Sequence, residues 1–308
     1  MEMMNAELHI QSRAYRGDAD LHPIKEFLMA SAGTRPPHTY WHIGNLLWSM
    51  FYDTHYDACR DLRIWEDDRG SVLGFAWFDE PNTVELQVAP HLRGQGSLEV
   101  PMLAWAAEHA RTFQQPDEPR LWTRALDNDA EYEALLLSQG FERGEALLVR
   151  MLQEIDRSLP VASLPAGWTV RHVGGEDEYE ARVDLHREVW QPSRSTLEAY
   201  RWLRAAPGYR PELDLVAVAP DGTFASYCIC WLDPVNKIGL YEPVGTRPAY
   251  RRQGLSTAVI IEGLRRLQAY GARTAFVSTG AQNDPAIKLY ESTGFRIVSR
   301  EYRYSRKL

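Results

Sequence analysis

Short alternating apolar runs and longer apolar stripes of helical period follow one another along the chain, in an order that is used twice. Leu8 to Ala14 alternates as a strand, and Asp18-Ala19-Asp20 stands where a helix through Phe27 to Ala30 needs its cap. From His38 to Tyr56 the chain is rich in aromatic residues at mixed helical spacing, which predicts core, with an acceptor pocket as the second reading. Asp61 to Glu66, Val72 to Phe78 and Val84 to Val88 predict an antiparallel meander, turning at Asp67-Asp68-Arg69-Gly70 and Glu80-Pro81-Asn82. A helix through Met102, Leu103, Trp105, Ala106 and His109, a strand from Arg120 to Ala125 and a helix from Asp129 to Ser138, ended by Gly140-Phe141, complete the first cycle. At Trp168 the cycle restarts. Trp168 to His172 predicts a strand, Glu176 to Val189 and Thr196 to Arg204 helices, and Leu215 to Ala219, Phe224 to Trp231 and Lys237 to Val244 a second meander.

The repeat can be aligned residue by residue. Arg93-Gly94-Gln95-Gly96 matches Arg251-Arg252-Gln253-Gly254, 158 positions further on, and Gly140-Phe141 matches Gly294-Phe295. Two domains of similar plan are therefore expected, at 1–153 and 167–308. The polar segment 154–166, with Pro160 and Pro165, is expected to link them.

The most informative stretch runs from Tyr241 to Tyr270. A strand end at Tyr241 to Thr246 leads through a turn marked by Pro248 into a helix whose apolar face is Leu255, Ala258, Val259, Leu264 and Leu267. The first turn of a helix offers unpaired N–H groups and the positive end of the macrodipole; Gly254 and Ser256 are small enough for a phosphate to approach, and Arg251 and Arg252 add charge. A second helix is expected from Asn283-Asp284-Pro285 to Gly294-Phe295. The pair resembles the GNAT superfamily of N-acyltransferases. The first motif is present as Arg251-x-x-Gly254-x-Ser256, and the second matches at Asn283, Ala286, Leu289, Tyr290, Gly294 and Phe295.

The resemblance implies an α/β (α+β) protein of two tandem GNAT-like domains, each a mixed, mostly antiparallel twisted sheet with splayed central parallel strands flanked by helices. It implies acetyl-CoA as co-substrate and transfer of the acetyl group to a primary amine of a small molecule by direct attack. The splayed strands fall at Gly239 to Thr246 and Thr274 to Ser278. The backbone of Val244, Gly245 and Thr246 then faces the pantetheine arm, and Arg251, Arg252, Gln253, Gly254, Leu255, Ser256 and Thr257 hold the pyrophosphate, with the Ser256 hydroxyl as an added contact. Asn283 meets the pantetheine from the other side. Glu242 is the candidate base, with a solvent-facing strand end as its alternative, and Tyr290 the candidate acid for the leaving thiolate. In the first domain Leu98 stands where the second has Ser256, and Leu136 where it has Tyr290, so one acyl-CoA per chain is expected, in the second domain. The same scaffold without turnover, a CoA- or small-molecule-binding protein, is the alternative.

Composition narrows the partners. A formal charge of −8 disfavours a nucleic-acid partner and favours a cationic acceptor such as an amine. The acceptor itself stays open among an aminoglycoside-like amine, a polyamine, an amino acid, an amino sugar-thiol precursor and a protein N-terminus. Three cysteines, Cys59, Cys228 and Cys230, without CxxC spacing fit a reduced compartment, the last two as small core residues. His38 and His42 lie one helical turn apart without a third ligand, so no metal is expected and both read as surface or capping residues. No run approaches the ~20 apolar residues of a membrane helix, and Met1 to Ile10 has no apolar run. A cytoplasmic protein with no membrane partner, monomer or homodimer, is the expectation.

Overall fold

The computed structural model describes residues 9–34, 39–52, 57–113, 119–155 and 159–308. In chain order the elements are β1 (Gln11–Ala14), α1 (Asp18–Ala32), α2 (Ile43–Phe51), α3 (Ala58–Asp61), β2 (Leu62–Glu66), β3 (Val72–Glu80), β4 (Thr83–Val88), α4 (Glu99–Ala110), β5 (Arg120–Leu126), α5 (Ala130–Ser138) and β6 (Glu142–Glu154). The second round comprises β7 (Thr169–His172), α6 (Tyr179–Val189), α7 (Leu197–Ala205), β8 (Asp214–Val218), β9 (Phe224–Asp233), β10 (Ile238–Thr246), α8 (Leu255–Ala269), β11 (Thr274–Gly280), α9 (Asp284–Ser292) and β12 (Arg296–Lys307). Leu8, His38 and Tyr56, which the sequence reading placed in a strand and in the aromatic band, lie outside the described residues.

The elements gather into two compact units. One comprises Met1–Tyr40, His55–Ala146 and Glu301–Leu308; the other comprises Trp41–Thr54 and Leu147–Arg300. Against the boundaries expected at 153 and 167, three segments change sides, each for a pairing or packing reason. The second half of β6 pairs antiparallel with β11, from Leu148 opposite Gly280 to Glu154 opposite Thr274. The end of β12 pairs antiparallel with β5, from Glu301 opposite Leu126 to Lys307 opposite Arg120. Helix α2 joins the second unit, where Gly44 lies so close to Trp231 that a Cβ there would sit 2.3 Å from its Cγ. Of the expected linker, Glu154 is the last residue of β6, 159–166 has no regular structure, and 156–158 lie outside the described residues.

Within the first unit the strands run β1-β2-β3-β4-β5 and then the end of β12; within the second, the end of β6 is followed by β11-β10-β9-β8-β7. Among the described residues each unit has one parallel pair at its centre, β4 with β5 and β10 with β11, flanked by antiparallel neighbours. The second core lies between the sheet and α8. There the predicted stripe of Leu255, Ala258, Val259, Leu264 and Leu267 is buried to the last residue against Cys228, Cys230 and Tyr241. One local expectation gave way. Helix α1 starts at Gly17 rather than on an aspartate cap, and Asp20 lies buried in its first turn, its carboxylate held by Arg13 at 2.6 and 2.8 Å and by Arg16.

Candidate active site

The site is built where β10 and β11 part. Their parallel register runs from Ile238 opposite Thr274 to Tyr241 opposite Val277 and stops, although β10 continues to Thr246 and β11 to Gly280. On its other edge β10 keeps pairing with β9, but the register shifts between Tyr241 and Val244. That bulge falls on Glu242 and Pro243, and Pro243 has no N–H to give a ladder. The carbonyl of Glu242 instead accepts a hydrogen bond from Trp231 Nε1 at 2.8 Å. Behind Trp231 stands α2.

Glu242 is half-buried, and no cation or donor among the described residues meets its carboxylate. Burial without compensation disfavours the charged form and lifts its pKa from 4.5 to about 7. Tyr290, on α9, is buried, and its ring is held edge-on by Phe295, with centroids 5.9 Å apart. Burial, and after it the negative charge of Glu242, push the Tyr290 phenol well above its ordinary 10. The structure therefore brings the two sequence-predicted catalytic residues within electrostatic reach of each other. One is a carboxyl poised near neutrality and the other a phenol that stays protonated.

The turn after β10 has the form that an anion requires. A single helical turn at Pro248–Tyr250 is followed by Arg252 at φ 63° and Gly254 at φ 78°, and Gly254 is the N-cap of α8. The N–H groups of residues 252–257 meet no acceptor among the described residues. A Cβ on Gly254 would be strained at that φ and would fill the approach, where the nearest atom is the Ser163 carbonyl oxygen at 3.7 Å. Arg251 Nε reaches the Thr246 carbonyl at 3.3 Å. A pyrophosphate-bearing co-substrate fits such a turn.

Ser256 behaves differently from the sequence expectation. Ser226 donates to the Gly245 carbonyl at 3.0 Å, so the 2.7 Å bond between Ser226 and Thr246 must be donated by Thr246. The 2.6 Å bond between Thr246 and Ser256 must then be donated by Ser256. Its hydroxyl proton points inward, leaving the backbone N–H as the donor that Ser256 can offer an anion. Asn283 is the N-cap of α9, its Oδ1 accepting from Ala286 N at 3.3 Å, and its amide nitrogen leans on Thr279.

Sequence reasoning missed the wall that α2 and α6 provide. His42, read as a surface or capping residue, does cap α2, accepting from Gly44 N at 3.0 Å, but it is buried, and its Nε2 donates to the Ile238 carbonyl at the start of β10. Burial lowers its pKa to about 4, so the ring stays neutral. Opposite Gly245 on β9, Tyr227 accepts from Trp190 Nε1 at 2.8 Å and shares a 2.6 Å hydrogen bond with His186 Nδ1, with the stacked pair Trp48 and Tyr52 beside the imidazole. The one advance signal was the aromatic band itself. Cys228 and Cys230 are buried with sulfurs 3.9 Å apart, and burial raises the Cys228 thiol well above its usual range. Among the described residues no group of three or more His, Cys, Asp or Glu is placed to hold a metal, and no helix is long and apolar enough to cross a membrane.

The second unit thus combines a strand splay, an exposed turn with unpaired N–H groups, and a carboxyl within electrostatic reach of a phenol. Residues 176–295 match the model of the acetyltransferase (GNAT) family. The family match thus falls within the second unit, and over its whole length the chain has the fold of a tandem GNAT protein. It is 29% identical over 238 residues to a mycothiol acetyltransferase of Streptomyces coelicolor, covering 74% of each chain. To a mycothiol acetyltransferase of Kineococcus radiotolerans it is 31% identical over 192 residues, 60% of this chain and 61% of that one. The fold is similar to a GCN5-related N-acetyltransferase from Sphaerobacter thermophilus, with a TM-score of 0.66 at 20% identity, covering 97% of this chain and 95% of that one. It is also similar to a tandem GNAT protein from the clavulanic acid biosynthesis pathway, with a TM-score of 0.67 at 17% identity and 98% of both chains covered.

Proposed function

We propose that the protein transfers an acetyl group from acetyl-CoA to a primary amine of a small molecule by direct attack, in the second unit. The observation that carries this reading is the Glu242 carboxyl lifted to about 7 beside a protonated Tyr290. An alkyl ammonium near pKa ~10 must lose a proton before it can attack a thioester. Glu242 takes that proton, directly or through water, and Tyr290 gives one to the departing thiolate. The backbone of Val244, Gly245 and Thr246, released from β11 by the splay, runs beside the pantetheine arm. The turn from Arg251 to Thr257 holds the pyrophosphate through its N–H groups, with Arg251 and Arg252 adding charge. Asn283 borders the arm on the far side.

Direct attack is favoured over an acyl-enzyme because the site's two thiols are buried and Cys228 is held in its neutral form. The curated relatives are named mycothiol acetyltransferase, so the unacetylated precursor of mycothiol heads the panel of acceptors to be tried. The test is release of free thiol from acetyl-CoA, followed with a thiol reagent, across that precursor, a polyamine, an aminoglycoside and an amino acid. Release that depends on one of these amines is the expected result. Binding of acetyl-CoA with no amine-dependent release anywhere in the panel would leave the reading without support.

A further inference from the structure

The first unit repeats the strand, turn and helix of the cradle, with β4 ending at Val88 and α4 beginning at Glu99. Gly94 and Gly96 have φ of 80° and 83°, the left-handed geometry also found at Arg252 and Gly254. There the likeness ends. In the first unit the turn's N–H groups have an acceptor of their own: Gly94 N donates to Glu99 Oε1 at 2.6 Å and Gly96 N to Glu99 Oε2 at 3.2 Å. One carboxylate thus bridges two backbone N–H groups at the start of a helix, the arrangement in which a bound anion sits. Glu99 is wholly buried and no cation among the described residues is paired with it. A buried carboxylate is tolerable only when its oxygens are satisfied, and here the turn and the helix start do that. By the 158-residue offset of the repeat, the matched residue of the second unit is Thr257, which has no charge to place there.

Two further features close the same turn. Arg93, matched to Arg251, points inward: its Nε donates to Asp129 Oδ2 at 2.5 Å and its guanidinium lies 4.4 Å over the Tyr132 ring. Helix α5 lies directly on the glycines, since a Cβ at Gly94 would meet Glu131 Cβ at 2.6 Å. In the second unit residues 251–254 are exposed.

We propose that the Glu99 carboxylate is the resident anion of the first unit's turn, taking the place that a pyrophosphate takes in the matched turn, and that it keeps the first unit from binding acyl-CoA. The comparison with the matched turn rests on the proposed function of the second unit, and the experiment separates the two. Hydrogen exchange of the unaltered chain is measured with and without saturating acetyl-CoA over residues 91–98 and 250–258. The expected result is that 91–98 exchanges slowly without ligand and unchanged with it, while 250–258 slows by about tenfold or more. Added protection at 91–98 overturns the proposal. Silence at both segments sinks the second-unit cradle and leaves the closed first turn supported.

Glu99→Ala gives a second readout. Its Tm should fall by roughly 5–10 °C, and inorganic phosphate should restore more of it than chloride does at equal ionic strength, by a margin that the unaltered chain does not show. A folded variant that gains nothing selective from phosphate also overturns the proposal. The exchange measurement decides the matter should the variant not fold.

Discussion

Glu242→Gln should move stability and activity in opposite directions. The carboxyl titrates at about 7 in the folded chain against an ordinary 4.5, a difference worth about 3 kcal/mol at ~1.36 kcal/mol per pH unit. Between these values the folded chain holds a proton that the unfolded chain has released, so stability falls as pH rises through the window. Above about 7 the loss is complete, and below 4.5 it is absent. Glutamine cannot ionise. The variant should match the parent near pH ~4 and exceed it by up to about 3 kcal/mol near pH ~8, a Tm gain of roughly 6–12 °C for a unit of this size. Activity should run the other way. A base titrating at about 7 is about 9% ionised at pH ~6 and about 91% at pH ~8, so kcat/KM should climb about tenfold across that range. The variant should lose this limb and fall by about 10²–10⁴-fold. Calorimetric scans and kcat/KM profiles on the same samples test both halves. A variant no more stabilised at high pH than at low, or a parental profile flat between these limits, refutes the reasoning.

Tyr290→Phe should lower kcat by about 10–100-fold, the share of a general acid, with the KM for acetyl-CoA nearly unchanged; parental turnover in the variant removes the phenol from the mechanism. Gly254→Val introduces a branched side chain at φ 78° in the mouth of the turn and should abolish acetyl-CoA binding by calorimetric titration, whereas retained affinity would place the pyrophosphate elsewhere. Gly44→Ala forces a Cβ to within 2.3 Å of Trp231 Cγ and should destabilise the second unit by about 1–3 kcal/mol in denaturant. Because Trp231 holds the Glu242 carbonyl, the same variant should also lower kcat, and an unchanged kcat would break that link.

The turn at 248–254 and the helices α8 and α9 were legible because their signals are local. A small residue at the helix start, Asn283 as the cap of α9, Gly294 after it and the apolar stripe of α8 all act within one or two turns of chain. The places of Glu242 on a strand end and Tyr290 on a helix were legible in the local pattern, but the burial that raises the carboxyl pKa was not. Strands β6 and β12 were missed for a different reason. Each serves two units in turn, so the apolar alternation of Leu147, Val149 and Met151 begins only after the polar start Glu142 to Glu145, and β12 is studded with arginines along its length. The place of α2 in the second unit depends on Gly44 meeting Trp231, a contact with no trace in the local pattern. Glu99 looked like any acidic residue in the first turn of a helix. Its reach back to Gly94 and Gly96, like the inward proton of Ser256, became visible only with the side chains in place.

The central claim is direct acetyl transfer in the second unit, and isotope tracing by mass spectrometry tests it most directly. The protein is incubated with ¹³C-acetyl-CoA, first alone and then with an amine that supports thiol release, and the masses of protein and amine are both read. The account predicts an unlabelled protein in both samples and a labelled N-acetyl group on the amine, formed at a rate that falls together with Glu242→Gln and Tyr290→Phe. Label resident on a cysteine of the protein, or an acetylated amine formed equally fast by both variants, would contradict it.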